Sequence, residues 1–372
     1  MKPTRPPEPV AVESESARRR VVAGFGVVVG LGGLLAVSGV DWTGITTAVG
    51  GADPATLGVA FGAALLAQLA WASTTATFLR SVGDAPTRRV QLGYLAGTFA
   101  KQVLPFGHAG GAPLLSYVFS RDLDIEYRRL FPAVTASELV VFLASVAVAV
   151  VGAVWFGLTG GLAAVAPSLG REAATAVVGG VALSALGLAA AAQGATRRRA
   201  VLRRVALLFA AVGRATLARP VPSLRRRLDP DTVGRGVDGF ADAFSRATAD
   251  RRAVVRAAGF ALAGWFVWAL PLYFAVRAVG AELPLAVAFL LVPAAGLAGL
   301  LPTPGGLGGA EVGLTAGVVL LAGVGVDVAA AGVLLYRVCS YWGVVAVGGA
   351  ASLYLSTGRS RGRRRVVAGD DT

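Results

Sequence analysis

The residues of this sequence that could do chemistry do not form a catalytic set. A single cysteine (Cys339) and a single histidine (His108) cannot supply a nucleophile with its base or a metal centre of several histidines. No pair of aspartates suggests nucleotide-sugar binding through a metal, and no phosphate loop indicates the use of ATP. We therefore expect neither an enzyme activity nor a cofactor.

The most distinctive stretch is residues 301–311, which read LPTPGGLGGAE. Two prolines and four glycines must interrupt a helix. A helix that restarts near Gly308 would turn free N–H groups and its positive dipole end toward the break, which suits a phosphate. Alternatively, the stretch is a tight hairpin in which Glu311 stabilises a helix N-terminus. The candidate substrate-binding residues here are Pro304, Gly305, Gly306, Gly308 and Glu311.

A second interrupted stretch, residues 101–112, reads KQVLPFGHAGGA and adds Lys101 and His108. A buried lysine beside a cavity can hold a lipid phosphate, whereas a lysine near the bilayer surface can extend its ammonium to the cytoplasmic edge. For His108 we favour a structural role, a hydrogen bond to a backbone carbonyl. The candidate substrate-binding residues of this stretch are Lys101, Pro105, Gly110 and Gly111.

Two isolated charges, Glu138 and Arg337, interrupt otherwise apolar segments. Counted from Arg129 and Asp327 at the segment ends, each lies about 13–15 Å deep at a rise of about 1.5 Å per residue. A charge at this depth costs about 2.5 kcal/mol or more and normally faces the bundle interior or a wet cavity. Both residues are candidates for substrate binding, and a structural clamp is the alternative.

The elements that position these residues are membrane helices. The chain has 372 residues, 55% hydrophobic and 15% charged, whereas ordinary soluble domains carry about 25% charge. Apolar segments long enough to cross a bilayer of about 30 Å are 21–40, 55–79, 130–158, 173–193, 257–276 and 328–356. Segments 90–120 and 283–323 are broken in the middle. The sequence therefore predicts an all-α polytopic membrane protein with about six full transmembrane helices plus two re-entrant helical hairpins.

The arginines predict the orientation, because basic residues accumulate on the cytoplasmic side. Five basic segments are expected inside: the tail 1–20, loops 80–89 and 121–129, the segment 194–252 and the tail 357–372. Loop 41–54 has no basic residue and is expected outside. Segment 90–120 must then enter and leave on the same side. The net charge of +14 thus reports topology in a cell membrane with both termini cytoplasmic, and nucleic acid is not an expected partner.

The basic segment 194–252 joins the two parts of a single transmembrane domain, residues 21–356. Apolar residues recur in it at helical spacing: Val233, Val237, Phe240 and Phe244. This pattern favours an amphipathic helix on the membrane surface. A recruitment site for a partner protein is the alternative.

The chain also matches itself at an offset of about 197 residues. The matches include Trp71 with Trp268, Arg80 with Arg277, Leu104-Pro105 with Leu301-Pro302, and Glu138 with Arg337. The repeat halves, about 55–158 and 254–356, run in opposite directions through the predicted topology. Inverted repeats with discontinuous helices are typical of transporters. We therefore expect the opposite charges of Glu138 and Arg337 to approach a shared central site and offset each other's insertion cost.

At these residues the chain resembles the transmembrane region of lysylphosphatidylglycerol synthases, a family of flippase-like integral membrane proteins. The resemblance covers about residues 20–356 and rests on four motifs: PGGLG…E at 304–311, Leu335-Tyr336-Arg337, Pro105…Gly110-Gly111, and Ser137-Glu138. It implies lipid movement between leaflets. The synthase activity of that family, and the glycosyltransferase activity of some archaeal relatives, belongs to additional domains that we do not expect here.

Two functions remain open from the sequence. The first is a flippase-like transporter that moves a phospholipid or a lipid-linked head group, with an anionic head group as the expected ligand. The second is a non-catalytic scaffold or accessory subunit of a lipid-modifying or glycosylation enzyme, which the basic segment would recruit. A continuous polar cavity that joins both hairpins would favour the first, and a sealed apolar core the second.

Overall fold

The computed structural model describes residues 42–104, 110–161, 230–296 and 303–369, and all regular structure in these ranges is helical. In chain order the elements are α1 (Trp42–Gly50), α2 (Pro54–Leu79), α3 (Thr87–Val103), α4 (Gly111–Asp122), α5 (Tyr127–Leu158), α6 (Pro230–Ala247), α7 (Arg251–Ala278), α8 (Leu285–Ala295), a 3₁₀ turn (Pro304–Gly306), α9 (Gly309–Ala322), α10 (Val326–Arg337), a π-helical segment (Val338–Trp342) and α11 (Gly343–Gly369).

Five of the described helical segments are long and apolar enough to cross a membrane. They are α2, α5, α7, the 3₁₀ turn with α9 (Pro304–Ala322), and α10 continued into α11 (Val326–Thr357). The predicted all-α polytopic class is therefore confirmed. Four of the six predicted full spans coincide with these helices, while 21–40 and 173–193 lie outside the described residues. The number of six spans stays a prediction.

Helices α2 and α7 each begin with an aspartate that caps the helix N-terminus. The carboxylate of Asp53 accepts hydrogen bonds from the backbone N–H groups of Ala55 and Thr56, and Asp250 accepts one from Arg252. Aspartate at this position satisfies N–H groups that have no partner within the helix. The hydrogen bonds from Thr56 also hold the pKa of Asp53 below its usual value. The two capping residues are 197 positions apart, at the offset of the internal repeat.

Helices α3 and α4 form an antiparallel pair, the first hairpin, and α8, the 3₁₀ turn and α9 form the second. A Cβ atom on Gly93 would lie 2.8 Å from the Phe119 ring, and one on Gly97 would lie 2.3 Å from a methyl group of Leu115. A Cβ atom on Gly317 of α9 would likewise lie 2.5 Å from a leucine methyl group of α8. Glycine therefore allows the limbs to pack closely. Their entry and exit on one side of a membrane stays a prediction.

The order of helices repeats along the chain. Helices α2 to α5 begin at residues 54, 87, 111 and 127, and helices α7 to α10 begin at 251, 285, 309 and 326. The corresponding starts are thus 197 to 199 residues apart. Trp71 of α2 and Trp268 of α7, which the offset equates, contact each other with ring centroids 5.2 Å apart. These observations support the repeat, and its inversion across a membrane stays a prediction.

Helix α6 is the described part of the basic segment. The ring of Phe240 lies 5.5 Å from that of Phe131 in α5. Phe244 packs against the core around α2 and α5, and Ala241 and Ala247 are buried. Contacts with the protein therefore explain these apolar residues, whereas the sequence alone suggested contact with lipid. A position of this helix on the membrane surface stays a prediction.

Candidate functional site

The predicted break in the second hairpin is present. The 3₁₀ turn covers Pro304–Gly306, and the backbone has φ values of +57° at Gly305, +68° at Gly306 and +88° at Gly308. Side-chain-bearing residues rarely adopt such positive values because their Cβ atom clashes with the backbone. The glycines at these three positions are therefore required by the path of the chain into α9.

Gly305 lies where the two hairpins meet. A Cβ atom on it would be 2.0 Å from the ring of Tyr341 and 2.8 Å from the side-chain oxygen of Gln102. The hydroxyl of Tyr341 in turn donates a hydrogen bond to the backbone carbonyl of Gln102 at 3.4 Å. The end of α3, the 3₁₀ turn and the π-helical segment thus converge on one buried point.

Arg337 is held by three groups. Its Nε donates to Oε1 of Glu311 at 2.6 Å, and its Nη2 donates to the carbonyl oxygen of Gly305 at 3.0 Å. The guanidinium carbon also lies 4.6 Å from the ring centroid of Tyr341, a favourable cation–π distance. The arginine thus ties α10 to both the turn and the start of α9.

The second oxygen of Glu311 closes the N-terminus of α9. Its Oε2 accepts a hydrogen bond from the backbone N–H of Gly308 at 2.7 Å, three residues earlier. This carboxylate occupies the positive helix end that the sequence offers as a phosphate site. The structure therefore shows the alternative interpretation, in which Glu311 stabilises the helix start. The physical reason is that a carboxylate within the first turn is nearer than any external anion.

A second ion pair joins the first hairpin to α5. Lys101 Nζ lies 2.8 Å from Oε2 of Glu138, and the side chains are 12% and 24% exposed, respectively. A Cβ atom on Gly111 would lie 3.0 Å from that oxygen and 3.1 Å from Cε of Lys101. The pair therefore packs against the first residue of α4. The ammonium of Lys101 lies inside the helix bundle and does not extend to its periphery.

Glu138 and Arg337 do not pair with each other, so the expectation that they offset each other's charge is wrong. Each binds a counter-charge from the hairpin of its own half, Lys101 for Glu138 and Glu311 for Arg337. The hairpins supply these nearer partners because Lys101 lies near the end of α3 and Glu311 near the start of α9. The two pairs nevertheless lie near one region, since Gln102 follows Lys101 directly and contacts the turn that binds Arg337. Pro105 and His108 lie outside the described residues.

Sequence reasoning missed several polar groups around this junction. The side-chain oxygens of Thr98, Gln102 and Thr303 are buried and have no hydrogen-bond partner within the described ranges. The spacing of four residues between Thr98 and Gln102 places both on one face of α3 and could have drawn attention to them. Tyr341 follows Arg337 by the same spacing. The π-helical segment that contains it is a feature often found at functional sites.

A small cavity of about 210 Å³ lies between α8 and α9. It is lined by Leu291, Ala294, Ala295, Gly309, Ala310, Gly313 and Leu314. This lining is apolar and belongs to the second hairpin alone, so this cavity is not the continuous polar cavity that would favour a transporter. In the part of the chain that the structure describes, no three His, Cys, Asp or Glu side chains come together as metal ligands.

The fold and the buried charge pairs define an α-helical multi-pass membrane protein with two interrupted hairpins. The chain belongs to the family of the lysylphosphatidylglycerol synthase transmembrane region, whose match covers residues 21–348. It is also similar to a "UPF0104 membrane protein" of Methanothermobacter thermautotrophicus, with 26% identity over 352 residues, 91% of this chain and 93% of the relative. The resemblance inferred from the motifs is therefore confirmed, together with a location in a membrane.

Proposed function

We propose that this protein is a flippase-like transporter that moves a phospholipid or a lipid-linked head group between the leaflets of the cell membrane. The observation that carries the proposal is the convergence of the two hairpins where Gln102 contacts Gly305. Irregular backbone within a membrane is tolerated only where it is buried in protein or lines a cavity. Discontinuous helices that meet between repeats are the usual site of substrate binding in transporters.

The charges at this junction favour an anionic head group. Arg337 is a buried cation and Lys101 a partly buried one, and each is neutralised by one carboxylate. A buried charge needs a counter-charge at every stage of a conformational cycle. A phosphate-bearing head group could provide one while the protein rearranges. The glycines with positive φ beside Arg337 would allow the backbone to bend during that change.

The described contacts give less support to a scaffold that recruits an enzyme through the basic segment. Helix α6 packs Phe240 and Phe244 against the rest of the protein. This packing removes the aromatic side of the helix as a docking surface. We accordingly propose a transport role without catalysis, with both termini in the cytoplasm.

A leaflet-specific labelling experiment tests the proposal. The full chain would be reconstituted into phosphatidylcholine vesicles that contain a trace of phosphatidylglycerol with a fluorescent, reducible head-group label. An impermeant reductant quenches only the outer-leaflet label unless the protein moves lipid. We expect the quenched fraction to rise with the number of protein molecules per vesicle, and to rise less when the label is on a neutral diacylglycerol.

The control is the Gly305→Val variant, in which the side chain cannot fit against Tyr341. Gly313→Ala is a matched variant, because Gly313 on α9 has open space around its Cβ position. We expect Gly305→Val to lose lipid movement and Gly313→Ala to retain it. If wild-type vesicles are quenched no further than protein-free vesicles, the flippase proposal is wrong.

A further inference from the structure

The two ion pairs of the site differ in how completely they are engaged. Glu311 uses both carboxylate oxygens, one for Arg337 and one for the N–H of Gly308. Arg337 has the carbonyl of Gly305 and the ring of Tyr341 as further partners. Removing Glu311 from this arrangement would break the ion pair and expose the start of α9. This pair is therefore a structural tie.

One hydrogen bond joins Lys101 to Glu138. The 2.8 Å bond between Nζ and Oε2 is the single hydrogen bond of either side chain among the described residues. The two further N–H groups of the ammonium have no acceptor among the residues that the structure describes. Glu138 also caps no helix, and at 24% its side chain is more exposed than that of Lys101. The carboxylate can therefore leave Lys101 without unwinding any element.

The surroundings of Lys101 suit the anion that would replace the carboxylate. Gly111, at the start of α4, has no side chain, and a Cβ atom there would lie 3.0 Å from the Glu138 oxygen. The start of α4 therefore places no side chain against the oxygen that faces the ammonium. A phosphate has the same charge sign as the carboxylate and more oxygens to accept from a lysine.

We infer that the phosphate of the transported head group binds Lys101 in place of Glu138. Glu138 is then an internal competitor that occupies the ammonium when no substrate is bound. This inference rests on the proposed function, and it narrows the substrate to phosphate-bearing head groups that bind at the first hairpin. It also gives the two ion pairs different roles. Lys101 exchanges Glu138 for the substrate, whereas Arg337 and Glu311 stabilise the structure.

Binding measurements on the full chain in detergent micelles test this inference. The probes are soluble dioctanoyl phosphatidylglycerol, dioctanoylglycerol without a phosphate, and inorganic phosphate, titrated by isothermal calorimetry. We expect Glu138→Gln to bind dioctanoyl phosphatidylglycerol about tenfold more tightly than the wild type, because no carboxylate competes for the ammonium. Lys101→Gln and the double variant should bind it no better than dioctanoylglycerol.

Glu311→Gln is the matched control, since it also removes one partly buried carboxylate beside a cation. We expect no tightening in this variant, because Glu311 is engaged by Arg337 and Gly308. Glu138→Asp keeps the charge but shortens the side chain. Its affinity for dioctanoyl phosphatidylglycerol should lie between those of the wild type and Glu138→Gln. This variant keeps the test decisive if Glu138→Gln does not fold.

The outcomes separate the possibilities. Unchanged or weaker binding in both Glu138 variants, or tightening that persists without Lys101, would overturn the competitor role. Tighter binding of inorganic phosphate alone would support the exchange at Lys101 and count against a lipid as its source. The calorimetric assay does not require transport. If the variants bind as expected but the protein moves no lipid in vesicles, only the proposed function is refuted. Lipid movement that does not depend on Glu138 would count only against this inference.

Discussion

The pairing of Arg337 with Glu311 predicts strong energetic coupling between these residues and little coupling between Arg337 and Glu138. The perturbations are Arg337→Gln, Glu311→Gln, Glu138→Gln and the two double variants that contain Arg337→Gln. Glutamine matches glutamate in size, and at position 337 it keeps a polar side chain of shorter reach. The variants therefore report mainly on the charges and their hydrogen bonds.

The structure sets the expected magnitude. Arg337 loses its 2.6 Å bond to Glu311 and its 3.0 Å bond to the carbonyl of Gly305. Removing one partner of a buried ion pair costs about 3–5 kcal/mol, because the other charge is left uncompensated. Since the side chains of Arg337 and Glu311 are 11% and 18% exposed, we expect the lower end, about 3 kcal/mol for each single variant.

In the double variant of Arg337 and Glu311 no lone charge remains. The combined loss should therefore be smaller than the sum of the single losses by about 2–3 kcal/mol. Arg337 and Glu138 have no partner in common, so their losses should add to within about 0.5 kcal/mol.

The single cysteine provides the assay. Cys339 is 5% exposed in the folded protein, so a thiol-reactive fluorophore labels it only on unfolding. Because Cys339 lies two residues from Arg337, tryptophan fluorescence serves as a second probe of the whole protein. Denaturant titrations followed by both probes give the free energy of unfolding of each variant. Additive losses for Arg337 and Glu311, or coupling between Arg337 and Glu138, would refute the assigned pairing.

Three further predictions follow from glycine packing and topology. Gly305→Ala should lower the free energy of unfolding by about 2 kcal/mol or more, because φ is +57° and the Cβ atom would lie 2.0 Å from a tyrosine ring. The control is Gly313→Ala, in open space on α9, which should be neutral or slightly stabilising in the same titration. Gly97→Ala should cost about 1–3 kcal/mol by forcing the limbs of the first hairpin apart, whereas Gly58→Ala, with nothing within 4 Å, should cost nothing. Glu126→Cys, in a background without the natural cysteine, should react with an impermeant thiol reagent only after cells are permeabilised, and labelling of intact cells would contradict the predicted topology.

The sequence was sufficient to predict the helical class and the break in the second hairpin. Prolines and glycines at 302–309 leave no continuous helix, and the structure places a 3₁₀ turn at Pro304–Gly306 with α9 beginning at Gly309. The depth of Glu138 and Arg337 in the membrane was estimated from their distance to the segment ends and stays a prediction. These properties are local, because each depends on the spacing of residues within one segment.

The partners of the buried charges could not be predicted in the same way. Lys101 and Glu138 are 37 residues apart, and they meet because α3 and α4 pack closely enough to bring the ammonium to α5. Whether such side chains meet depends on how far each hairpin enters the bundle, and the spacing of residues along the sequence does not contain this information. Tyr341 was missed for a related reason, since one aromatic residue in an apolar segment usually indicates packing alone.

The neutrality of each ion pair has a consequence for how the membrane voltage acts on this protein. Because Lys101 with Glu138, and Arg337 with Glu311, each sum to no net charge, an ion pair that moves across the bilayer together carries no net charge with it. A transmembrane voltage does about 2.3 kcal/mol of work per elementary charge for each 100 mV. The conformational change of the protein without a bound lipid should therefore depend little on the membrane voltage. In the proposed transport, a bound anionic head group would add one uncompensated charge to the loaded protein, so the electrical driving force would act on that state and favour one direction of lipid movement.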